Sequence, residues 1–492
     1  MSPIRSGLDA IAPSLASIPS VEEWTPWLDP WEACRRMAHL PHLLFLDSSA
    51  PPNRLSRYSF VAADPFSWLT SRRGLIAEDE RIVQSADPFA VLQERLGQWR
   101  VETLEGLPPF QGGAAGLFGY DLCHHVERLP RPQYDEFQTP DLAVGFYDWV
   151  VAFDRVERRV WIVSTGLPEI DTSRRRRRAF QRLKAVQRCL QNSTGEAMAK
   201  RVETVGMRPI PLDPRNELSS FAGVYSNFNR DGYLLAAQKA IDYVRAGDCF
   251  QVNLSQRLLH RATLAPLELY ARLRACNPAP FAGYFDLGDC VVASASPERF
   301  LSVEDGRVET RPIKGTRPRG STREEDARLS EELKHSAKDR AENVMIIDLL
   351  RNDLGRVCAY GSVQVPSVCR LESYRTVHHL VSEVCGRLRP GLGLIDLLRA
   401  AFPGGSVTGA PKVRAMEIIA ELEPTARGPY CGSLGYLGFN GGMDTNILIR
   451  TFTLGRGWMQ FPVGGGIVAD STPEAEYEET LHKAEGLLRA LR

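Results

Sequence analysis

The chain has no excess of charge of either sign: 60 Lys and Arg stand against 60 Asp and Glu, a formal net charge of zero. That removes the bulk field by which nucleic acid or an anionic membrane surface would attract it. Long apolar runs are missing too. The most apolar stretch, residues 142–153, is too short to span a bilayer and carries Asp148. Between Met1 and Ser20, Pro, Ser, Arg and Asp interrupt any apolar core, so no secretory signal is expected. Cys-x-x-Cys pairs are absent, and ten scattered cysteines in a chain of this length point to a reduced, cytoplasmic setting. The His124-His125 and His378-His379 pairs are adjacent in sequence, so their side chains diverge on a helix or strand and no zinc site is expected.

What is present is ordinary globular composition, 43% hydrophobic and 24% charged over 492 residues. Length alone suggests two or three domains, or one large core with a smaller partner. No repeat of fixed period is visible. Three regions stand out: a strand-rich N-terminal subdomain over 15–165, a polar Arg-rich connector over 171–217, and a domain with sharper signals over 226–489. In the first, runs such as Phe60-Val61-Ala62-Ala63 and Val160-Trp161-Ile162-Val163 are β-prone. The arginine run 174–178 stands without interleaved aromatic residues, which favours a solvated helix face over a nucleic-acid patch.

In the third region, apolar residues at Leu234, Ala237, Ile241 and Val244 predict a helix over 231–246, ended by Gly247. Residues 291–313 read as paired strands turning at Asp305-Gly306, and 436–452 as a second hairpin turning near Asn440-Gly441-Gly442. Residues 339–350 are another helix. The last element reads as a helix capped by Ser471, with Pro473 in its first turn and Glu474 closing a capping box. Strands and helices are segregated, which predicts an α+β fold with mainly antiparallel sheets.

The segment Gly404-Gly405-Ser406-Val407-Thr408-Gly409-Ala410-Pro411-Lys412 resembles a phosphate loop, but Ala410-Pro411 separates the glycine from the lysine and the Walker pattern fails. What remains is a loop of N–H groups and hydroxyls able to hold a carboxylate. Gly464-Gly465-Gly466 offers the same close backbone approach. Glu476, Glu479 and Lys483 share a helix face, as do Asp339 and Glu342. Such faces are usually solvated, but one carboxylate from each helix would also suit Mg²⁺, which takes few protein ligands and leaves room for an anionic substrate.

Long blocks carry a resemblance: Gly247 to Ser255, Ser296-Pro297-Glu298-Arg299-Phe300, Asp348 to Gly355, Gly405 to Lys412 and Gly464 to Val468. They resemble, in order, those of the chorismate-utilising enzymes, which include anthranilate, aminodeoxychorismate, isochorismate and salicylate synthases. Arg57-Tyr58-Ser59-Phe60 and Gly112 to Asp121 extend the resemblance more loosely to the N-terminal region. It implies an anthranilate-synthase-like fold, with antiparallel sheets in a sandwich and flanking helices. It also implies Mg²⁺ held by Glu342 and Glu479, with Asp339 and Glu476 in support. The substrate pocket would comprise Arg450, Thr408, Gly409, Tyr430, Gly465, Gly466 and Lys483. His379 would lie beside the substrate ring, and Glu298 would act as the acid at the departing C4 hydroxyl.

Within the family, isochorismate-type enzymes carry a water-activating Lys where this chain has Gln251, which weakens that reading. Anthranilate synthases typically have Ala where this chain has Lys314, within Arg311-Pro312-Ile313-Lys314-Gly315-Thr316. A Lys there is typical of aminodeoxychorismate synthases, whose product leads to para-aminobenzoate and folate. Lys314 is therefore expected to act as a nucleophile at C2, with anthranilate synthesis as the alternative. No cysteine has the setting of a glutaminase nucleophile, so ammonia is expected from a separate glutamine amidotransferase subunit, or as free ammonium. Leu44-Phe45-Leu46-Asp47-Ser48-Ser49 stands where tryptophan-inhibited relatives carry a Leu-Leu-Glu-Ser type segment; the shorter Asp argues against feedback inhibition. A non-catalytic nucleic-acid-binding protein is the reading from another class.

Overall fold

The computed structural model describes residues 19–192, 210–212, 214–374 and 377–492. The start of the N-terminal region and much of the 171–217 connector lie outside these residues. No described helix is long and apolar enough to cross a membrane.

The strands read from the sequence are present, at Tyr58–Ala62, Leu142–Tyr147 and Arg159–Ser164. Many are buried along their whole length, because each sheet has apolar matter on both faces. Trp149–Asp154 shows how. Trp149, Val151 and Phe153 enter one core, while Val150 and Ala152 enter another. A strand alternates its side chains between faces, so an unbroken apolar run is what double burial requires.

Among the described residues, two twelve-stranded sheets and a three-stranded sheet result. Each large sheet mixes N-terminal and C-terminal strands. Leu44–Asp47 pairs with Phe281–Asp286 in one, and Gly113–Phe118 with Ser433–Gly438 in the other. All the strand pairs are antiparallel. Between the large sheets lies a shared core: Leu44, Phe60, Phe285 and Val292 from one face, Leu117, Tyr147, Leu434 and Tyr436 from the other. Helices cover the outer faces, among them Arg230–Arg245 and Pro473–Leu488 on one side and Ala337–Gly355 on the other. This is the expected α+β sandwich with flanking helices.

Local expectations fare unevenly. Helix Arg230–Arg245 forms as read, with Gly247 at φ +85° just beyond it. Asp305 and Gly306, at φ +49° and +74°, make the tight turn between Arg299–Glu304 and Arg307–Arg311. The second hairpin is shorter than expected: Ser433–Gly438 pairs with Met443–Asn446, and Thr451–Gly455 crosses to the other large sheet. Ser471 does not cap the last helix. The cap position is Thr472, without a side-chain bond, while the Ser471 hydroxyl donates to Glu476 Oε1 at 2.6 Å.

The arginine run opens helix Thr172–Gln191, which packs Ala179, Leu183, Val186 and Leu190 against the sandwich. Arg174, Arg176 and Arg177 are solvated as expected. Arg175 and Arg178 are not: they donate to the Thr165 and Leu167 carbonyls, and Arg178 also pairs with buried Asp148.

Candidate active site

The site forms where the chain switches sheets. Cys290–Ser296 belongs to one large sheet and Arg299–Glu304 to the other, and Glu298 sits in the short crossing between them. The return crossing, between Met443–Asn446 and Thr451–Gly455, carries Arg450 at φ +53°. Arg450 therefore lies beyond the hairpin on which the sequence placed it. The two crossings are tied together by Ile447 N–H to Glu298 O (3.0 Å) and Ala295 N–H to Arg450 O (3.1 Å). Corners of this kind leave backbone and side chains facing a gap between the sheets.

Glu298 is buried, and burial lifts its carboxyl to about 7, against the opposing pull of the Ser406 hydroxyl, Lys314 and the Ile313 backbone. It can therefore hold a proton near neutrality, as the acid role demands. Lys314 is on strand Ile313–Pro318, where the pairing with Val377–Arg387 slips at Gly315. Gly315 has φ +78°, and a Cβ there would lie 2.9 Å from both Asp339 Cβ and Leu333 Cδ1. Only glycine lets helix Ala337–Gly355 come that close to the bulge. Burial depresses the Lys314 ammonium, Glu342 opposes that shift, and Lys483 reinforces it; Glu298 and Glu479 also bear on it. Lys314 thus shares one electrostatic neighbourhood with both helical carboxylates and the acid.

His379 is the partner of Thr316 across the same strand pair, and its Nδ1 lies 2.8 Å from Thr316 Oγ1. Burial, then the Arg450 charge, depress it to about 3, so the ring is neutral at physiological pH. Arg450 has no side-chain hydrogen bond or ion pair among the described residues, and burial depresses its guanidinium. A half-buried arginine without a counter-ion is an arginine waiting for an anion.

The three-stranded sheet forms another wall. Its central strand, Gln251–Gln256, pairs with Val463–Ile467 on one side and Gly409–Ala410 on the other. Thr408 is buried with its hydroxyl donating to Gly404 O (3.0 Å), so the loop offers backbone at that point. Gly409 has φ +147°, and a Cβ there would strike Gln251 O at 2.1 Å. Gly466 is similarly closed by Gln251 Nε2 at 2.4 Å. Tyr430 and Cys431 form a turn, with Cys431 at φ +63°.

The acidic faces meet across this wall. A Cβ on Gly465 would lie 3.0 Å from Glu476 Oε2 and 3.1 Å from Glu479 Oε1. Glu476 is buried, its Oε2 has no partner, and burial raises its pKa. Glu479 is also pushed up by burial, but Lys483, Lys338 and Lys314 hold it lower overall. Glu342 is raised by burial against the pull of Lys314 and Lys338. Lys483 donates to Gly464 O (2.8 Å) and pairs with Glu479 (2.7 Å), while Asp339 is engaged by Arg317 at 3.3 Å. An orphaned carboxylate oxygen beside a second carboxylate, with no side chain at Gly465 to fill the gap, fits a hard cation. Among the described residues the one triad of ligand atoms within 4.8 Å of each other is elsewhere: Glu309, Glu383 and Cys385. Arg299 and Arg311 already neutralise its carboxylates at 2.8 Å each.

Sequence reasoning missed Glu423 and Arg427, a fully buried ion pair behind the wall, and Lys338, whose charge bears on Glu342, Glu476 and Glu479. Pro424 breaks the helical register that would have drawn attention to the first pair. Asp47 does line a crevice of about 1180 Å³ with Ser48, Tyr58 and Phe281, but its carboxylate already accepts from Tyr270 (3.0 Å) and Arg274 (2.9 Å).

Lys314, Glu342, Glu298 and Glu479 lie within electrostatic reach of one another, as Arg450 and His379 do. The chain belongs to the family of chorismate binding enzymes, whose sequence profile matches residues 45–489, and it is a chorismate-utilising enzyme. It is 42% identical to anthranilate synthase component 1 of Thermus thermophilus, over 94% of this chain and 95% of that one. It is 40% identical to aminodeoxychorismate synthase component 1 of Escherichia coli, over 93% and 94%. The crystal structure of anthranilate synthase component I from Streptococcus pneumoniae superposes with a TM-score of 0.74 at 32% identity, covering 89% of this chain and 93% of that one.

Proposed function

We propose that this protein is the chorismate-aminating component of an aminodeoxychorismate synthase, a magnesium-dependent enzyme supplied with ammonia by a separate glutamine amidotransferase subunit. The observation that carries the reading is Lys314: an amine with a depressed pKa, amid Glu342, Glu298 and Glu479. Its neutral fraction is the nucleophile. The Lys314 Nζ–C2 bond forms, the ring double bonds shift, and the C4–O bond breaks. The departing hydroxyl takes the Glu298 proton and leaves as water, and the new secondary amine sheds its extra proton. Ammonia then forms a bond to C4 as the C2–N bond breaks, and Lys314 leaves as a neutral amine once a proton returns to it. The product is 4-amino-4-deoxychorismate.

Arg450 offers a bidentate fork to one substrate carboxylate, and the backbone around Gly409 and Gly465-Gly466 lines the other side. Glu479, Glu476 and Glu342 would hold Mg²⁺, with Asp339 steadied by Arg317. The ion would supply positive charge to a substrate carboxylate. His379, neutral and bonded to Thr316, presents a fixed edge to the ring.

Anthranilate synthesis is the second reading, favoured by the 42% identity to the Thermus thermophilus enzyme. Incubation with chorismate, Mg²⁺ and ammonium separates the two. Aminodeoxychorismate is expected, together with a chorismate-derived adduct on the intact protein that Lys314→Ala removes. Fluorescent anthranilate formed without any added lyase would overturn the assignment, and an adduct of unchanged mass in the variant would place the nucleophile elsewhere.

A further inference from the structure

Behind the substrate wall lies a charged pair beside a small cavity of about 30 Å³ that Tyr120 and Met416 also line. Glu423 and Arg427 are each 4% exposed and are joined by two bonds, Arg427 Nε to Glu423 Oε2 (2.8 Å) and Nη2 to Oε1 (2.7 Å). The remaining donors of the guanidinium reach the backbone: Nη1 donates to Val407 O (3.0 Å) and Nη2 to Asn253 O (2.8 Å). Glu423 Oε1 in turn accepts from Ser255 N–H (2.7 Å) and Ser255 Oγ–H (2.8 Å).

These are the segments that shape the substrate wall. Val407 directly precedes Thr408 and Gly409. Asn253 and Ser255 lie on the central strand of the small sheet, opposite Gly466 and Gly464. Asn253, whose carbonyl accepts from Arg427, also grips the loop directly, donating its N–H to Thr408 O (2.8 Å) and its side-chain amide to Ser406 O (2.8 Å). The guanidinium also lies 5.8 Å from the Tyr430 ring centroid and 4.7 Å from that of Tyr120. A buried pair is weak support for stability by itself, since packed apolar residues often do as well. Its usefulness lies in geometry: a planar fork fixes several acceptors in one plane, which a lysine cannot do.

The geometry points to Arg427, oriented by Glu423, as a positioning residue that sets the spacing between the Ser406–Gly409 loop, the Gly464–Gly466 backbone and Tyr430, and so the affinity for the anionic substrate. This rests on the reading that those elements bind chorismate. Arg427 touches no substrate; it acts through the backbone it holds.

The test compares Arg427→Lys with the double variant Arg427→Met, Glu423→Gln, which removes the charges without stranding one of them. Chorismate affinity is read by calorimetry, and KM and kcat by turnover with ammonium and Mg²⁺, in protein shown to be folded by its melting curve. Both states of the reaction use the same wall, so KM and Kd are expected to rise tenfold or more with kcat changed less than threefold. A Kd within twofold of the parent in either folded variant overturns the inference, as does a fall in kcat alone. Failure of both variants to fold also overturns it, because the pair would then be a stability element. Parent protein that binds chorismate but forms no aminodeoxychorismate would instead sink the proposed function and leave the affinity comparison intact.

Discussion

The proposed reaction needs a protonated Glu298 and a neutral Lys314, states that neither group normally holds, and burial favours both. It lifts the carboxyl to about 7 and lowers the amine. In the proposed reaction kcat/KM is expected to trace a bell, because Glu298 loses its proton as pH rises through about 7 and Lys314 gains one as pH falls. Glu298→Gln should erase the alkaline limb and lower kcat/KM by roughly 10²–10⁴-fold. A pH profile of the variant that still bends near 7 would assign that limb to another group. Asp121 makes a second test, away from the reacting atoms. Burial, then nearby Asp141, raise it to about 7, against the Gly428 N–H that it accepts at 2.8 Å. A carboxyl raised on folding contributes stability that is present below its unfolded pKa and lost as pH rises through the folded value. Asp121→Asn cannot titrate, so its melting temperature minus that of the parent should grow between pH 5 and pH 8. A constant difference across that range would refute the shift.

At the scale of elements, glycines decide how closely the parts of the site approach. Gly315→Ala would force φ +78° on a residue with a side chain and push into Asp339 and Leu333. A loss on the order of 2 kcal/mol or more is expected, read as a lower denaturation midpoint. Gly465→Ala would put a methyl against Glu476 and Glu479. The expected outcome is a weaker magnesium requirement curve, shifted to higher concentration at least severalfold, with the fold intact by circular dichroism. An unchanged magnesium dependence would move the ion away from this corner. The helical faces bearing these carboxylates were legible from i, i+3 spacing, as was the helix at 230–245. The cap of the last helix was not: Ser471 turns back to Glu476, because a buried carboxylate competes for that hydroxyl more strongly than a solvated helix end. Arg427 was illegible for a similar reason, since besides Glu423 its partners are the backbone carbonyls of Val407 and Asn253, which no local pattern marks.

Across the whole molecule, the N-terminal and C-terminal regions share both large sheets and one interlayer core. Thermal unfolding should therefore give a single calorimetric transition; two resolved transitions would show that the regions fold independently. Sequence alone determined the class of fold, through β-prone apolar runs segregated from amphipathic helices, and the family, through ordered blocks such as the one around Glu298, beside which Lys314, Glu342 and Glu479 stand at recognisable places. Those are properties of residue order, so they survive without coordinates. Tertiary structure alone decided which groups share a gap. The two sheet-switching corners that carry Glu298 and Arg450 are bonded to each other, and burial raises the Glu298 carboxyl and lowers the Lys314 ammonium. Desolvation and proximity depend on what folds over a residue, and those neighbours, such as Lys483 and Glu479 for Lys314, lie far away along the chain.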